Sequence, residues 1–504
     1  MDRRAALGHD SSPGEPDLSP VFPVPPNPDT RYHLSQATII GGGLAGLAAG
    51  AALAERSFDV TILESRPRLG GRASSFIDPV TGETIDNCQH VAMGCCTNFN
   101  AFCQLVGIEG QFRTESELHF IGPDGKRCAW KASSLPAPFH LMPAFFRLGY
   151  LTLPQKVTAA RGLRSLVRHG GRPGESFAGW LKRHHQPPEV IERFWEVVLV
   201  SALSESMDRI DVGYARKVFV DGFLANREGW KVIIPNQPLD EIYGPVKNWL
   251  EKRGATVRTS AGVDRIEFEG DRAVAVHLRN DETIEADDIV VAVPWDRAEA
   301  LVQGGLLRNP GSLEKPGFCN LMEAAPISSV HLWFDRPITD LPHAVFVGKS
   351  SQWLFQRGEE ASTSETESAP PGRSFYYQIV VSASRGFLQM ESRQAIELVR
   401  RELASVWPIV NEARLLRGRI VTEHKAVFSP LPGIDDVRPT QRTSIPNLHL
   451  AGDWTRTGWP ATMEGAVKSG FLAAESVLER SGRPANLIAP PLPPARLSKL
   501  LFGC

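Results

Sequence analysis

The segment Gly41-Gly42-Gly43-Leu44-Ala45-Gly46 constrains the fold of this chain more than any other. It fits the pattern G-x-G-x-x-G, follows the apolar run 37–40 and opens a stretch of small residues that suits a helix. In such a turn Gly41 permits the tight bend, Gly43 lets the backbone approach a pyrophosphate, and Gly46 lets helix and strand pack closely. The helix N-terminus then faces the phosphates. The sequence predicts a dinucleotide site here, and the alternative is a purely structural glycine turn.

Glu64 favours the dinucleotide interpretation. It follows the apolar run 60–63, which we interpret as the next strand of the same unit. An acid at the end of that strand is placed to accept hydrogen bonds from the ribose hydroxyls of an adenosine. We therefore expect a strand–turn–helix–strand unit that begins a doubly wound α/β sheet.

The stretch 37–54 has eighteen residues without a charge, a length that also suits a membrane-spanning helix. Five of those residues are glycines, three of them consecutive, which a lone spanning helix tolerates poorly. We predict a strand, a glycine turn and a helix instead. The preceding residues 1–36 contain seven prolines and almost no aliphatic run, so we predict a disordered tail without the apolar region of a secretory signal.

Composition excludes some classes of protein. Lys and Arg total 55 against 57 for Asp and Glu, a formal charge of −2, so we expect no nucleic-acid binding by bulk positive charge. The seven cysteines include the adjacent pair Cys95-Cys96 and form no C-x-x-C, which argues against a disulfide framework and against a metal site. A reducing cytoplasm is the expected location.

The pattern of apolar and polar residues changes four times along the chain. Segments 37–110, 239–300 and 440–482 have the α/β pattern and are predicted to form one sheet. Between them lie 111–238, with helical patterns, and 301–439, which is rich in strand patterns; together they form a predicted second, mixed α+β domain. We interpret 357–373 as an exposed loop because it has no aliphatic residue larger than alanine, and 483–504 as a C-terminal tail.

Two further motifs indicate which dinucleotide binds. Segment 64–72 (E-S-R-P-R-L-G-G-R) and segment 450–453 (L-A-G-D) together resemble the flavin-dependent amine oxidase and carotenoid desaturase superfamily. The resemblance implies FAD as cofactor and a Rossmann-like FAD-binding domain interrupted by a substrate domain. In that family the late Gly-Asp reaches the ribityl chain, and the last helix points its N-terminus at the flavin. The resemblance therefore adds these FAD-binding residues to the first glycine turn and Glu64: Arg66, Gly70, Gly71, Arg72, Val263, Gly452, Asp453, Met463 and Glu464.

One branch of that superfamily is especially similar. Segments 84–96 (T-I-D-N-C-Q-H-V-A-M-G-C-C) and 458–467 (G-W-P-A-T-M-E-G-A-V) resemble the squalene-associated branch, the FAD-dependent hydroxysqualene dehydroxylases of bacterial hopanoid synthesis. The branch usually has Gly where this chain has Cys88. The resemblance implies reductive removal of an allylic hydroxyl from a C30 isoprenoid, which needs a flavin, an acid near the leaving oxygen and a dry apolar channel.

Several residues are candidates for that chemistry. His90 is the candidate acid, because a histidine pKa lies near neutrality, and a structural core histidine is the alternative. Gln89 is expected to hydrogen-bond the flavin or the substrate hydroxyl. Trp459, Phe145 and Phe146 are expected to line the substrate channel, although each suits ordinary core packing as well. The apolar stretch 135–153 is either core or a patch that binds the protein peripherally to the inner membrane, with weak support from the C-terminal residues 490–504.

Three other functions remain open at this point. A carotenoid desaturase, acting on phytoene or dehydrosqualene, has the same fold and an isoprenoid substrate, but passes hydride from substrate to flavin. An amine oxidase is less favoured because no counterpart of its substrate-side lysine is evident. A non-catalytic prenyl-binding escort protein of this fold is not expected to keep all the glycine motifs. The chain has no second dinucleotide fingerprint, so an external, unidentified electron donor is expected.

Overall fold

The computed structural model describes residues 35–79, 82–302, 321–361 and 373–502, with the side chains of 359–361 and 373 excluded. The predicted tail 1–36 lies outside the described residues except for its last two, and so does 362–372 of the predicted loop. The strands are β1 Gln36–Ile40, β2 Asp59–Leu63, β3 Ser75–Ile77, β4 Thr84–Asp86, β5 Ala92–Met93, β6 Phe112–Glu115, β7 Leu118–Ile121, β8 Arg127–Trp130, β9 Val232–Pro235, β10 Thr256–Arg258, β11 Val263–Glu269, β12 Arg272–Leu278, β13 Thr283–Glu285, β14 Asp288–Val291, β15 Ala324–Phe334, β16 His343–Phe346, β17 Trp353–Ala361, β18 Arg373–Val381, β19 Leu415–Phe428 and β20 Leu448–Leu450.

The helices alternate with these strands in the first and last parts of the chain and cluster between β8 and β9. They are α1 Leu44–Ala54, α2 Thr97–Val106, α3 Met142–Phe146, α4 Leu153–His169, α5 Phe177–Arg183, α6 Pro188–Val190, α7 Glu196–Leu203, α8 Val212–Phe219, α9 Leu239–Glu251, α10 Trp295–Leu301, α11 Ser392–Val406, α12 Ile409–Glu412, α13 Met463–Arg480 and α14 Arg496–Phe502.

A five-stranded parallel sheet with the order β10-β2-β1-β14-β20 forms the first layer. Its strands come from each of the three chain segments with the α/β pattern. The central strands read as continuous apolar runs because both faces of the sheet are covered. Ile39, Val60 and Val290 pack with the helices α1, α9 and α13, and Ile289 and Val291 pack with the antiparallel sheet β11-β12-β13. The strand–turn–helix–strand unit predicted from the glycine motif is present as β1, α1 and β2.

The uncharged stretch 37–54 forms β1, the glycine turn and α1, a helix that is buried inside the protein. All eleven of its residues are buried, and it packs between the sheet and α13. The two helices approach so closely that a Cβ on Gly470 would lie 2.2 Å from the carbonyl oxygen of Ala45. A helix with such surroundings has to be apolar and small on every side. In the described part of the chain, no helix is long and apolar enough to cross a membrane.

The second layer is a seven-stranded mixed sheet with the order β19-β15-β18-β17-β16-β7-β8. It joins strands from both segments assigned to the predicted second domain, since β7 pairs in parallel with β16. Strands β17 and β18 extend into the predicted loop 357–373, so that residues 357–361 and 373 are strand and not loop. This part of the loop prediction is wrong, because the two strands continue their pairing as a hairpin.

The helices α3 to α8 form the rest of the predicted second domain. Two π-helical turns interrupt them, Ile191–Trp195 before α7 and Val220–Leu224 after α8. The C-terminal residues are not a loose tail in the described part: an extended segment crosses α2, where the Ala489 amide donates to Asn98 Oδ1 at 2.9 Å, and it ends in α14.

Candidate functional site

A cavity of about 720 Å³ lies at the carboxyl ends of four parallel strands. Its lining includes the residues that follow β1, β2, β14 and β20, represented by Gly41, Glu64, Ala292 and Gly452. Ligands of open α/β sheets bind at this edge. The cavity is therefore where the sequence places a dinucleotide.

Glycine is required at positions 41, 43 and 46 of the first turn, each time for a different structural reason. Gly41 has a φ of +111°, and a Cβ there would lie 2.5 Å from the Ala292 carbonyl oxygen. A Cβ on Gly46 would lie 1.9 Å from the Gly41 carbonyl oxygen, so Gly46 is required by the packing of helix on strand and does not line the cavity. A Cβ on Gly43 would meet only the Cα of Gly71, at 3.7 Å. Position 43 is thus kept small for the space of the cavity, as a bound pyrophosphate requires.

The N-terminus of α1 faces the same space. Its first residues, Leu44 and Ala45, line the cavity, and Gly43 at the N-cap supplies no side chain to the free amide groups. The first turn contains no acidic residue. Free amides and the positive end of the helix dipole suit a phosphate group.

Glu64 is held beside this turn by three hydrogen bonds. One carboxylate oxygen accepts from the Gly42 amide at 2.7 Å, and the other accepts from the Arg66 amide at 2.7 Å and from the Ser65 hydroxyl at 3.2 Å. The side chain is buried yet reaches the cavity. A carboxylate has further lone pairs, so Glu64 can still accept from a ribose hydroxyl.

The second glycine doublet and the late Gly-Asp also line this cavity. Arg72 donates to Asp453 Oδ1 at 2.5 Å and to the Ala426 carbonyl oxygen at 2.6 Å. Gly70 and Gly71 have positive φ angles, and Gly70 forms a parallel bridge with Gly43. Arg66 donates to the Gly71 carbonyl oxygen at 3.3 Å, which orders the same loop. All of these residues except Ala426's carbonyl were expected from the sequence, and the structure brings them together around one cavity, with Gly452, Val263 and Met463 also in its lining.

Glu464 and Trp459 are exceptions. Glu464 does not line the cavity: its buried carboxylate accepts hydrogen bonds from the Asn98 amide, the Asn98 side chain and the Phe99 amide. The structure thus assigns Glu464 to capping α2, and burial raises the pKa of its carboxyl. Trp459 lies outside the lining of both large cavities, with the Lys217 ammonium 4.1 Å above its ring. The expected channel role of Trp459 is corrected to a packing role at this cation–π contact.

His90 lines the cavity, and its ring has a defined tautomer. Its Nδ1 lies 2.9 Å from the Cys88 carbonyl oxygen, which can only accept, so the neutral ring carries its proton on Nδ1. Nε2 is then the nitrogen with a lone pair. Burial lowers the pKa of His90, so the ring is mostly neutral at pH 7. The prediction that His90 is an acid therefore acquires a condition: Nε2 must first gain a proton.

Cys88, the departure from the usual branch motif, adds no charge to this wall. Burial raises the pKa of its thiol to about 12, and the thiol hydrogen-bonds Ser329. Cys95, Cys96 and Cys103 are free and buried in the core around α1 and α2.

Arg357 is a residue beside the site that the sequence does not predict. It lies in the stretch 357–373 predicted as an exposed loop, but its side chain is only 11% exposed and donates to Asp86 Oδ2 at 2.7 Å and to Gln89 Oε1 at 2.6 Å. Gln89 in turn donates from Nε2 to the His90 carbonyl oxygen at 3.1 Å. The available signal was the alternation of Trp353 and Phe355 up to a glycine at 358, which is typical of a bulged strand.

Beyond His90 the cavity becomes apolar with a few hydroxyl groups. Side chains from α7, β15, β17 and β18 form this lobe: Ala202, Leu203, Ile327, Trp353, Phe355 and Val380. Ser201, Ser204 and Ser382 lie among them. Ser204 has a φ of +54° at the end of α7, and its hydroxyl accepts from the amide of Ala383, which has a φ of +51°. Two non-glycine residues in left-handed conformations beside a cavity indicate a wall whose shape matters.

A second cavity of about 490 Å³ contains Phe145 and Phe146. Its lining is almost entirely apolar and includes residues of both π-helical turns, such as Phe194 and Phe223. The two cavities share no lining residue, but both touch α7: Val197 and Val198 face the second cavity, and the next turn faces the first. Phe145 and Phe146 are therefore placed one helix away from the larger cavity and not in it.

Known proteins share this architecture. A family model described as flavin containing amine oxidoreductase matches residues 44–478. The 15-cis-phytoene desaturase of Solanum lycopersicum is 26% identical over 485 residues, covering 92% of this chain and 80% of that protein. The 15-cis-phytoene desaturase of Synechococcus elongatus is 26% identical over 481 residues, covering 89% of this chain and 98% of that protein.

Solved structures show the same fold at lower identity. An oxidoreductase from Methanosarcina mazei aligns with a TM-score of 0.65 at 17% identity, covering 88% of this chain and 100% of that one. Cyclohexylamine oxidase from Brevibacterium oxydans aligns with a TM-score of 0.61 at 16% identity, covering 89% and 100%. The predicted fold class, an α/β dinucleotide-binding domain interrupted by a mixed α+β domain, is confirmed.

Proposed function

This chain belongs to the flavin containing amine oxidoreductase family, with FAD as its cofactor, and from that premise we propose that it removes the hydroxyl group of hydroxysqualene reductively to give squalene. The coarser part of this statement, a flavin oxidoreductase of the carotenoid desaturase type, rests on the family and on the desaturase relatives. The finer part is our proposal. It places the protein in hopanoid and triterpenoid synthesis.

One observation carries the proposal. The two segments that resemble the hydroxysqualene branch, 84–96 and 458–467, supply adjacent walls of the larger cavity through residues 87–91 and through 461–463 and 466. The segments are more than 350 residues apart in the sequence. Their convergence on one cavity supports a shared role in holding the reacting part of the substrate.

The shape of the lobe beyond His90 suits such a substrate. Its wall is apolar, as a hydrocarbon chain requires, yet it includes the serines Ser201, Ser204 and Ser382, and His90 lines the same cavity. A hydrocarbon with a single hydroxyl group needs this mixture, whereas a pure hydrocarbon has no use for the polar groups.

In the proposed reaction a C–O bond breaks, a C–H bond forms at the same carbon, and the oxygen leaves as water. FAD held in this cavity in its reduced form would supply the hydride, and the balance would be hydroxysqualene and FADH₂ to squalene, water and FAD. His90 Nε2, when protonated, donates the proton that the leaving oxygen needs. Gln89, with its carbonyl oxygen held by Arg357, presents its remaining N–H to the cavity and orients the hydroxyl group. The apolar side chains of the lobe exclude water from the cationic carbon. An external donor has to reduce the flavin again.

The second cavity supports a proposed route for the substrate from a lipid surface. Phe139, Met142 and Phe146 line it and are each about 40% exposed, so the cavity reaches the surface among apolar side chains. Leu153, which is close to Phe146 in the sequence, and Leu500, which lies on α14, add further exposed apolar surface. A monotopic protein that takes a C30 substrate from the inner membrane would present such a patch.

The sharpest test is an anaerobic one. The photoreduced protein is mixed in turn with hydroxysqualene, squalene and phytoene while the flavin absorbance is followed. Reoxidation by hydroxysqualene with formation of squalene supports the proposal, and no reoxidation by hydroxysqualene contradicts it.

The second candidate function is a desaturase that passes hydride from a polyene to FAD. It is favoured by the phytoene desaturase relatives and by the probable zeta-carotene desaturase of Synechococcus elongatus, which is 26% identical over 483 residues. The same experiment separates the two, because a desaturase in its oxidised form would be bleached by phytoene. The retained residues of the cofactor site disfavour a non-catalytic escort protein, which should purify without FAD.

A further inference from the structure

Strand β17 contains one residue too many for its partner. Gln356 lies opposite Tyr377, and Gly358 lies opposite Tyr376, so Arg357 between them has no partner on β18. Gly358 has a φ of +134°, a conformation that favours glycine. This is a β-bulge, a device that redirects a side chain next to a site.

Alternation along β17 places Arg357 on the side of the strand that carries the cavity residues Trp353 and Phe355, and the bulge leaves it without a partner on β18. Trp353 and Phe355 precede it at alternate positions and line the apolar lobe, with their rings stacked at a centroid distance of 5.4 Å. Arg357 continues this face of the strand. Its guanidinium ends on Asp86 and Gln89, so the strand that forms the substrate lobe also contacts the segment that carries His90.

The partners of Arg357 are themselves fixed. Asp86 is 2% exposed, and its other oxygen accepts from the Ser75 hydroxyl at 2.6 Å and from the Leu239 amide at 3.0 Å. These bonds tie Asp86 to the β3–β4 hairpin and to the start of α9. Arg357 therefore pairs with a carboxylate that other hydrogen bonds hold in place, and this gives the guanidinium a defined position.

Gln89 has less support from its surroundings. Its Nε2 donates to the His90 carbonyl oxygen, and His90 Nδ1 bonds back to the Cys88 carbonyl oxygen. These bonds are local to residues 88–90. Segment 88–90 is attached to the seven-stranded sheet at two points, the Cys88 thiol on Ser329 of β15 and the bond from Arg357 to Gln89 Oε1, and the second of these is charge-assisted.

We propose that Arg357 is a positioning residue of the reaction, which fixes the Gln89 amide and the His90 backbone on the wall of the larger cavity in register with the apolar surface of β17. The proposal rests on the proposed function, because it assumes that the lobe holds an isoprenoid. A planar guanidinium is needed, since it bonds two acceptors at once in fixed directions. A lysine ammonium can pair with Asp86, but it is a single point of charge and lacks the second, fixed N–H direction that holds Gln89 Oε1.

This difference gives the test. R357K keeps the charge opposite Asp86 and loses the bond to Gln89, whereas Q89L removes that bond from the other side. R419K is the matched control: Arg419 pairs from the same sheet with buried Asp78, next to the β3–β4 hairpin, and does not line the cavity. The holoenzymes of R357K, Q89L, R357K/Q89L and R419K are compared with the unaltered protein in flavin content, single-turnover rate and half-saturating substrate concentration.

We expect R357K to bind FAD fully and to lose about tenfold or more of the single-turnover rate, since small misplacements near the reacting atoms are costly. The half-saturating concentration should change little. R357K/Q89L should react no more slowly than Q89L within about twofold, because both changes remove one interaction. R419K should keep the full rate. A full rate in R357K, an equal loss in R419K, or multiplied losses in the double variant would each overturn the proposal.

Failure of the proposed function would be recognised separately. If neither hydroxysqualene nor phytoene changes the flavin, the visible circular dichroism of bound FAD in the same proteins decides the role of Arg357. The spectra of R357K and Q89L should then resemble each other and differ from that of the unaltered protein, with R419K unchanged. A spectrum of R357K identical to that of the unaltered protein would overturn the positioning role.

Discussion

Arg72 and Asp453, 381 residues apart in the sequence, form an ion pair of 2.5 Å on the wall of the larger cavity. Asp453 is buried, and Arg72 also donates to the Ala426 carbonyl oxygen. The pair joins the second glycine doublet to the strand end at β20, so it closes the cavity from two distant parts of the chain.

We expect D453A to lower the affinity for FAD by about tenfold or more, because a charge-assisted hydrogen bond contributes roughly 1.5–3 kcal/mol. The loss is measured by titrating the apoprotein with FAD. E479A, which breaks the exposed pair with Arg442, should bind FAD normally.

G43V should impair FAD binding, whereas G46V should impair the stability of the fold. Gly43 faces only the Gly71 Cα at 3.7 Å, so a valine there should leave the apoprotein folded and displace the pyrophosphate. Gly46 lies against the Gly41 carbonyl oxygen, so a valine there should lower the thermal midpoint of the apoprotein itself. Flavin absorbance after purification and thermal unfolding of the apoproteins distinguish the two. Full flavin in G43V would show that the phosphates lie elsewhere.

E64A should weaken FAD binding and E64Q less so. The alanine removes the acceptor of the Gly42 amide and of the Arg66 amide, whereas glutamine keeps one oxygen to accept. A loss of about tenfold in FAD affinity is expected for E64A, since a hydrogen bond to a charged group contributes roughly 1.5–3 kcal/mol. Equal affinities for E64A and the unaltered protein would remove Glu64 from the site.

The single-turnover rate should rise as the pH falls. Burial lowers the pKa of His90 below its ordinary value near 6.5, so the protonated form is scarce at pH 7 and increases toward acid. At pH values above that pKa, the rate should increase about tenfold for each unit by which the pH is lowered, if Nε2 donates the proton. Stopped-flow measurements of flavin oxidation at several pH values test this. H90Q should be slower and independent of pH, and a pH-independent rate in the unaltered protein would exclude His90 as the donor.

Acid should also destabilise the fold through His343. This residue is fully buried and stacks on His119 at a centroid distance of 4.9 Å. Burial lowers its pKa to about 4. Because the unfolded state has the higher pKa, it takes up the proton first as the pH falls below about 6.5, and stability is lost between that value and about 4.

At pH 5 this amounts to about 2 kcal/mol relative to neutral pH. H343F should therefore reduce the fall of the thermal midpoint between pH 7 and pH 5. An unchanged pH dependence in H343F would assign the acid sensitivity to other groups.

The sequence predicted the first sheet well because its signals are local. The glycine turn, the uncharged stretch and the runs 60–63 and 289–293 each contain their own periodicity, and they appear as β1, α1, β2 and β14 within a residue or two. The cofactor site followed, since most of its members are backbone positions next to these elements.

The substrate side could not be predicted in the same way. Arg357 acquires its role from a bulge that depends on strand pairing with β18, and Glu464 is taken from the cavity by Asn98, a residue 366 positions away. Trp459 sits in a motif that resembles the channel wall, but a lysine from α8 covers its ring. These outcomes depend on contacts between distant segments, which no local pattern contains.

The origin of the five-stranded sheet in three separate chain segments has a consequence for synthesis of the protein. Strand β14 needs β20 as its outer neighbour, yet β20 ends about 160 residues after β14. At the usual rates of translation that interval lasts about 8–32 s. Throughout it the apolar edge of β14 stays open to solvent and to other nascent chains. The five-stranded sheet therefore leaves the ribosome with one edge unpaired, and it is completed only after residue 450 has emerged.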